Sequence, residues 1–293
     1  MENITAKVSC FARAYHARNN TAYIFADTAA GLMLGEDYDR IAQSMTQGIG
    51  FFLPGFKGAP EEGLRLIVDR QLSPSVLGRS AYCERMLENE ARLGCRQIVV
   101  FASGYDTFAI RSGNASLSVY ELDLPEVLAD KKRRLENAGL TSRAIYVPCD
   151  LSDGSWKDHL INSGYRRDQK SFGSLLGISY YLSKDEFRSL LTVWSGITCE
   201  GSAICFDYQS TEDCPETATN QALAQGAGEQ MKAQYDAQEM EALLEECGFL
   251  AYEHLDHAEM TDQYFSDYNQ RNPEHSMKAP AGVCYILAVR KKG

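Results

Sequence analysis

The chain has 293 residues, of which 44% are hydrophobic and 24% are charged, and its formal net charge is −11. This balance is typical of a soluble globular protein with a substantial core, and the length fits one large α/β domain or two smaller domains. No lysine- or arginine-rich stripe offsets the negative charge, so nucleic acid and an anionic membrane surface, which would repel the chain, are disfavoured as partners.

The cysteines indicate a reducing environment. All nine are scattered singly, the number is odd, no CxxC pair occurs, and Cys205 and Cys284 lie inside apolar runs. Reduced thiols in the core of a cytoplasmic protein explain this better than a disulfide framework. We see no signal peptide at the N-terminus, and no apolar run approaches the roughly 20 residues that a membrane helix needs.

The N-terminal third is predicted to be helical because apolar residues recur there at helical spacing. The expected helices are residues 3–19, 26–34, 39–46 and 61–93. A break in the last one is expected near Ser73 and Pro74. The glycine-rich segment 47–60 is predicted to be a loop or lid. Its aromatic residues, including Phe51, either line a ligand pocket or pack on the core, and packing on the core is the favoured alternative.

Further along the chain, short apolar runs alternate with helical patterns. The predicted strands are residues 98–101, 117–123, 144–149, 172–178, 202–207, 249–254 and 283–289. The clearest helix between them begins at Ser183, where Ser183 and Glu186 form a capping-box pattern. This alternation predicts an α/β fold with a mostly parallel seven-stranded sheet and helices on both of its faces.

The first predicted strand and its turn indicate the type of ligand. Strand 98–101 leads into Ala102-Ser103-Gly104 and Asp106, and the second strand ends in Asp123. An apolar strand, a turn of small residues and an acid about 20 residues later is how α/β folds bind an adenosine-bearing cofactor. A dinucleotide turn needs three glycines, whereas here only the third position is glycine, and Asp106 would face the pyrophosphate with like charge. S-adenosylmethionine, which has an adenosine and no phosphate, fits better.

Three polar groups of that cofactor have candidate partners. Asp123 could accept hydrogen bonds from the ribose hydroxyls, and Asp150, which ends the third strand, from the adenine amino group. Arg79 could bind the methionine carboxylate. Taken singly, each acid could equally be a solvated side chain, and Arg79 a solvent-facing helix residue. Acids at successive strand ends, on the side where such sheets bind ligands, favour the site.

The motifs and their order resemble a known family. The stretches that carry the resemblance, in chain order, are ITAKVSCFARAYHAR, LGRSAYCERML, QIVVFASGYDTFAIR, VYELDLPEV, YVPCDL and GISYYLSKDEFRSLL. They are similar to motifs of the leucine carboxyl methyltransferase and TcmP-type O-methyltransferases, a branch of the S-adenosylmethionine-dependent methyltransferases with a Rossmann-like fold. The resemblance extends over nearly the whole chain.

The resemblance implies roles for individual residues. It implies carboxylate binding by Arg79, ribose binding by Asp123, and adenine contacts from Asp150 and the backbone of Leu151. The expected cofactor-binding set is completed by Ala102, Ser103, Gly104, Asp106, Leu124 and Leu176. Two positions depart from the family pattern: Ala102 stands where a glycine is usual, and Leu176 stands where the family has a glutamate close to the cofactor.

The predicted parts of the chain follow from these motifs. We find no composition shift that marks a domain boundary, so one methyltransferase domain is expected over residues 1–293. Its expected parts are an N-terminal helical cap and lid (1–93), a cofactor-binding core (94–208), a helical insertion after strand five (209–236) and the C-terminal part of the sheet (237–293).

The predicted reaction is transfer of a methyl group from S-adenosylmethionine, leaving S-adenosylhomocysteine. A carboxylate acceptor needs no general base because it is already anionic, whereas a phenol or alcohol would need one. Tyr180 and Tyr181 are the candidates for contact with cofactor or acceptor, although ordinary packing of this pair is nearly as well supported. His254 and His257 hint at a metal site, but no third ligand has suitable spacing, so no metal is predicted.

The favoured function is therefore O-methylation of a small-molecule carboxylate. The alternatives are a cofactor-binding protein with little or no transferase activity, which Leu176 suggests, and methylation of a phenol or of a protein C-terminal carboxylate. A nucleotide-dependent oxidoreductase is disfavoured by the turn at 102–104. Nothing in the sequence indicates an oligomeric state.

Overall fold

A computed structural model describes residues 4–152, 154–212 and 231–292 of the chain. The helices before the first strand are α1 (Ile4–Asn19), α2 (Thr28–Leu34), α3 (Asp37–Gln47), α4 (Ile49–Phe52), α5 (Pro60–Ile67) and α6 (Ser73–Arg92). A π-helical turn at Val68–Leu72 joins α5 to α6 at the predicted break. Phe11, Tyr15, Met33 and Tyr105 belong to an apolar cluster that packs this helical cap on the loop after the first strand.

Within the described residues, seven strands form one sheet in the order β3-β2-β1-β4-β5-β7-β6. They are β1 (Gln97–Phe101), β2 (Ser118–Asp123), β3 (Ile145–Pro148), β4 (Ser171–Leu175), β5 (Ala203–Gln209), β6 (Phe249–Leu255) and β7 (Val283–Arg290). The first five pair in parallel, and β7 runs antiparallel between β5 and β6. The fold class predicted from the alternating pattern is thereby confirmed.

Helices connect the strands on both faces of the sheet. They are α7 (Phe108–Arg111), α8 (Pro125–Asn137), α9 (Trp156–Asn162), α10 (Lys184–Ile197), α11 (Ala237–Glu246), α12 (His257–Met260) and α13 (Ser266–Arg271). The predicted capping box is present at α10, where the Ser183 side chain accepts from the Glu186 amide and the Glu186 side chain accepts from the Ser183 amide. None of the helices in the described part of the chain is long and apolar enough to cross a membrane.

The strand side chains alternate between two buried layers because successive residues of a strand point to opposite faces. In β1, Val99 and Phe101 pack in the layer that contains Trp156 and Trp194. Ile98 and Val100 pack in the other layer, against the apolar face of α6 and the segment that follows α12. The sheet is thus covered on both faces, which is what near-continuous apolar strands such as β1 require.

Several predicted boundaries were wrong. Strand four ends at Leu175 rather than Ile178, because Gly177 has φ +71° and turns the chain into a 3₁₀ turn at Ser179–Tyr181. Segment 47–60 contains the short helix α4, and Phe51 is 79% exposed, so the favoured packing of this ring on the core was also wrong. The turns and short helices between 257 and 275 were not predicted.

The predicted insertion 209–236 lies partly outside the described residues, which omit 213–230. The residues on either side of this gap are tied together. Ser210 forms a β-bridge with Tyr235, and the Tyr235 amide donates to the Gln209 carbonyl at 3.1 Å. The Lys232 amide donates to the Tyr180 carbonyl at 2.7 Å, which ties residue 232 to the turn after β4.

Candidate active site

The largest group of predicted site residues meets at a cavity beside the carboxyl ends of β1, β2 and β4. The chain order reverses here, since β1 has β2 on one side and β4 on the other, and open α/β sheets bind ligands in the crevice that such a reversal creates. The cavity holds about 860 Å³ of empty space including its open mouth.

Eight of the predicted residues line this cavity: Arg79, Ala102, Ser103, Gly104, Asp106, Asp123, Leu176 and Tyr181. Four others do not line it: Leu124, Asp150, Leu151 and Tyr180. Asp150 is exposed, and its Oδ1 accepts from the Ser152 amide at 2.8 Å. Leu124 is 39% exposed. The residues predicted to contact adenine therefore lie outside the lining of this cavity, while those predicted to bind the ribose and the methionine carboxylate are part of it.

The turn after β1 brings backbone close to the cavity. Ala102 has φ +48° and Gly104 has φ +46°, both in the left-handed region. A Cβ on Gly104 would lie 3.1 Å from Ala6 Cβ on α1, so glycine suits this position on both grounds. Asp106 folds back on its own turn, since its Oδ1 accepts from the Phe108 amide at 2.8 Å.

Asp123 is held by the backbone on either side of it. Its Oδ2 accepts from the Gly104 amide and its Oδ1 from the Leu124 amide, both at 2.7 Å. The residue is only 8% exposed. Burial raises the pKa of this carboxyl, and the two amides offset only part of that rise. Each oxygen keeps a second lone pair, so a carboxylate fixed in this way can accept two further hydrogen bonds from vicinal hydroxyls.

Arg79 projects from α6 into the opposite end of the cavity. Its Nη1 donates to Tyr180 Oη at 3.2 Å and to Ser75 Oγ at 3.5 Å. The same nitrogen lies 3.7 Å from Asp207 Oδ2. The Arg79 side chain is only 13% exposed, so the alternative of a solvent-facing arginine does not describe it.

Helix α1 closes the cavity with residues that were not singled out from the sequence. Thr5, Ser9 and Arg13 line it. Arg13 Nε donates to Asp27 Oδ2 at 2.8 Å, and its Nη2 donates to the Tyr105 carbonyl at 2.7 Å. The α1 helix is therefore anchored on the turn that follows β1.

Asp27 is the centre of this anchor. It is fully buried, accepts from Thr107 Oγ1 at 2.7 Å, and caps α2 by accepting from the Ala30 amide at 3.0 Å. Burial raises its pKa, but Arg13 and Arg111 more than offset that effect, so the pKa of Asp27 is lowered. Arg13 lies within ITAKVSCFARAYHAR, the first of the stretches that carry the family resemblance, but no role was drawn from it.

Asp207 was also missed, although it ends the predicted fifth strand. It is an acid at a strand end, the same signal that singled out Asp123 and Asp150. The residue is 1% exposed, and its Oδ1 accepts from the Gly177 amide at 2.6 Å. Burial raises the pKa of Asp207, with Arg79 and the Gly177 amide lowering it in part.

The two predicted histidines on β6 and α12 do not form a metal centre with other side chains. His254 Nε2 lies 2.9 Å from Tyr208 Oη and is hydrogen-bonded to it. Among the described residues, no group of three or more His, Cys, Asp or Glu side chains could hold a metal ion.

The cavity suits the chemistry of S-adenosylmethionine. One wall presents a buried carboxylate with free lone pairs, which is suited to the ribose hydroxyls, and the other presents the guanidinium of Arg79, which is suited to a carboxylate. The backbone at Gly104 approaches without a side chain. The fold and the site together define an S-adenosylmethionine-dependent methyltransferase.

Comparisons with known proteins lead to the same class. The sequence model of the family described as leucine carboxyl methyltransferase matches residues 6–194. The chain is 36% identical, over 304 aligned positions, to YktD of Bacillus subtilis (strain 168), named as a candidate S-adenosyl-L-methionine-dependent methyltransferase; the alignment covers 99% of this chain and 98% of YktD. The protein belongs to the leucine carboxyl methyltransferase family.

Solved structures agree on the fold. A candidate methyltransferase from Thermobifida fusca YX superposes with a TM-score of 0.61 at 14% identity, covering 96% of this chain and 94% of its own. A DUF574 family protein from Streptomyces avermitilis MA-4680 superposes with a TM-score of 0.59 at 14% identity, covering 98% and 97%. At these identities the likeness concerns the fold alone.

Proposed function

We propose that the protein methylates the carboxylate of a small molecule, with S-adenosylmethionine as the methyl donor. The observation that carries this proposal is the composition of the cavity wall. Among the described residues, two arginines line it, Arg13 and Arg79, and no histidine or lysine does. Asp106 and Asp123 line it as well, so the wall has no net charge, but the lack of a histidine or lysine base matches an acceptor that is already ionised.

The two acids of the wall each accept hydrogen bonds from the backbone. Asp106 Oδ1 is engaged with the Phe108 amide, and both oxygens of Asp123 are engaged with backbone amides. Of the five histidines, His16 is buried and accepts from the Ile24 amide through Nε2 at 3.0 Å. Asp106 Oδ2 takes part in no hydrogen bond among the described residues, so it is the group that a phenol or alcohol acceptor would need as its base, whereas a carboxylate acceptor needs none.

The chain's contribution to the reaction is then binding, orientation and exclusion of water. S-adenosylmethionine supplies a methyl group on a positively charged sulfur, which an acceptor oxygen can displace in line. Asp123 would hold the ribose and Arg79 the methionine carboxylate. Thr5 and Ser9 on α1, with Ile178 and Tyr181 after β4, also line the cavity.

A direct test is methyl transfer from methyl-tritiated S-adenosylmethionine to a panel of small carboxylic acids and phenols. Methyl esters release tritiated methanol in mild alkali, whereas aryl methyl ethers do not, so the treatment identifies the acceptor atom. We expect alkali-labile product and a rate that stays flat with pH above the pKa of the acid. Alkali-stable product, or a rate that rises toward the pKa of a phenol, contradicts a carboxylate acceptor.

Leu176 supports a second candidate, a cofactor-binding protein with little or no transferase activity. It lines the cavity where the resembling family has a glutamate. Its side chain packs against the apolar layer that contains Val100 and Phe172. Tight binding of S-adenosylhomocysteine without transfer to any acid or phenol in the panel would favour this candidate.

We also propose a cytoplasmic location. No disulfide joins the cysteines that the structure describes, and most of those side chains are buried. Labelling of the thiols in protein taken directly from cells, before and after reduction, tests this. Labelling that increases only after reduction would contradict it.

A further inference from the structure

Asp207 is a buried carboxylate with one oxygen that has no hydrogen-bond partner among the described residues. It lies on β5 opposite the point where the chain leaves β4, since Leu175 pairs with Phe206 in the parallel register. A carboxylate that is 99% removed from solvent normally has all of its oxygens hydrogen-bonded. Here Oδ1 accepts from the Gly177 amide at 2.6 Å, but Oδ2 makes no hydrogen bond with any residue that the structure describes.

The unbonded oxygen faces Arg79. Its distance from Arg79 Nη1 is 3.7 Å, which is too long for a hydrogen bond but short enough for strong attraction where water is excluded. The carboxylate therefore balances the charge of the guanidinium without taking up its N–H donors. Nη1 donates to Tyr180 Oη and Ser75 Oγ, so within the described residues Nε and Nη2 are the donors that Arg79 keeps for another anion.

Gly177 links the two charged groups. Its φ of +71° lets the chain turn sharply after β4. A Cβ at this position would lie 2.7 Å from Arg79 Cζ and Nη1, so the guanidinium packs directly on the bare backbone of Gly177. Asp207 holds the amide of that same residue. The carboxylate, the turn and the guanidinium thus form one packed unit, which we call the Asp207–Gly177–Arg79 unit.

Only two members of this unit reach the cavity. Arg79 and Gly177 line the cavity, whereas Asp207 does not. We propose that Asp207 is a positioning residue for the methionine end of the cofactor: it fixes Arg79 and the turn at Gly177 in the geometry that receives the cofactor carboxylate. This inference rests on the proposed role of Arg79 as the group that binds that carboxylate.

Two ligands separate this role from a general structural one. S-adenosylhomocysteine carries the amino-acid end that Arg79 would bind, and 5′-methylthioadenosine has the same adenosine and thioether without it. Calorimetry with both ligands should show that Asp207→Asn weakens S-adenosylhomocysteine binding about tenfold and leaves 5′-methylthioadenosine binding unchanged. Equal weakening of both ligands means that Asp207 only supports the fold, and unchanged or tighter binding of S-adenosylhomocysteine also overturns the proposal.

Arg79→Gln tests the underlying assumption separately. If Arg79 binds the carboxylate, this variant should lose S-adenosylhomocysteine affinity by roughly 30- to 100-fold and keep 5′-methylthioadenosine affinity. Adding Asp207→Asn to it should then cause no further loss, because the residue that Asp207 positions is gone. If Arg79→Gln leaves the affinity for S-adenosylhomocysteine unchanged, the proposed role of Arg79 is wrong. If Arg79→Gln lowers that affinity and Asp207→Asn does not, only the proposed role of Asp207 is wrong.

Glu90→Gln is the matched control. Glu90 is a 5%-exposed acid on the same helix as Arg79, and its Oε2 lies 2.8 Å from Lys170 Nζ. Its neutralisation should change neither affinity. If Asp207→Asn does not fold, Gly177→Ala displaces Arg79 from the same unit, and selective loss of S-adenosylhomocysteine binding is again expected. Retained binding of that ligand by Gly177→Ala overturns the proposal.

Discussion

Asp123→Asn gives the sharpest test of the cofactor site. The wild-type carboxylate accepts one backbone amide on each oxygen at 2.7 Å and keeps one lone pair on each for a ribose hydroxyl. In asparagine one of these oxygens becomes an NH₂ group, which meets a backbone N–H as a second donor. The variant therefore loses the negative charge of the acceptor, and its side-chain NH₂ group lies against a backbone N–H with no acceptor between them.

The size of the effect follows from these contacts. A hydrogen bond to a charged group contributes about 1.5–3 kcal/mol, so loss of charge at two ribose contacts corresponds to roughly 3 kcal/mol, or about 150-fold in affinity. Calorimetry with S-adenosylhomocysteine measures this directly, and thermal unfolding of the free protein checks that the variant folds. We expect a loss of about 30-fold at least.

Asp150→Asn provides the comparison. This acid was predicted to contact adenine, but its side chain is exposed, so any hydrogen bond that it makes competes with water. Its replacement should reduce affinity only about two- to fivefold. An Asp123→Asn variant that binds within threefold of the wild type would refute the assignment of Asp123 to the ribose, and a larger loss in Asp150→Asn than in Asp123→Asn would reverse the two roles.

Two further predictions concern stability. Ala102→Gly should raise the free energy of unfolding by about 0.5–1 kcal/mol, because φ +48° is strained for alanine. Denaturant titration measures this change, and the control Ala91→Gly, within α6, should lower the free energy of unfolding instead. A lower free energy of unfolding in Ala102→Gly would contradict the prediction. Burial lowers the pKa of His16 to about 4, so its contribution to stability is complete above its ordinary pKa and is lost as pH falls toward 4. Between pH 7.5 and 5.5 the wild type should lose about 1.3 kcal/mol more than His16→Gln, and parallel pH profiles of the two proteins would refute this.

Leu176 replaces the glutamate of the resembling family, but another carboxylate lies beside it. Its neighbour across the sheet, in continuation of the β4–β5 register, is Asp207. A negative charge is therefore present at the level of Leu176, but it lies behind Arg79 and Gly177 instead of in the cavity wall. Cofactor binding through the Asp207–Gly177–Arg79 unit is compatible with either candidate, so the methyl-transfer panel decides between them.

The sequence by itself determined the fold class and one half of the cavity wall. Apolar strands such as β1, the small-residue turn after it and the acid at the end of β2 are local patterns, readable because a strand, its turn and the following strand are close in the chain. Asp123 reaches the Gly104 amide across only 19 positions. The end of β4 was predicted three residues too late, because the apolar run continues past Leu175 although the backbone turns at Gly177.

Only the tertiary structure decided which distant residues complete the cavity. Arg13 holds the carbonyl of Tyr105, 92 positions away, because α1 folds back over the turn after β1. Asp207 faces Arg79 because β5 lies beside β4 and α6 packs across them, an arrangement that pairing and packing create and no local pattern encodes. The same packing brings Arg79 out of solvent, where its interactions with opposite charges are stronger.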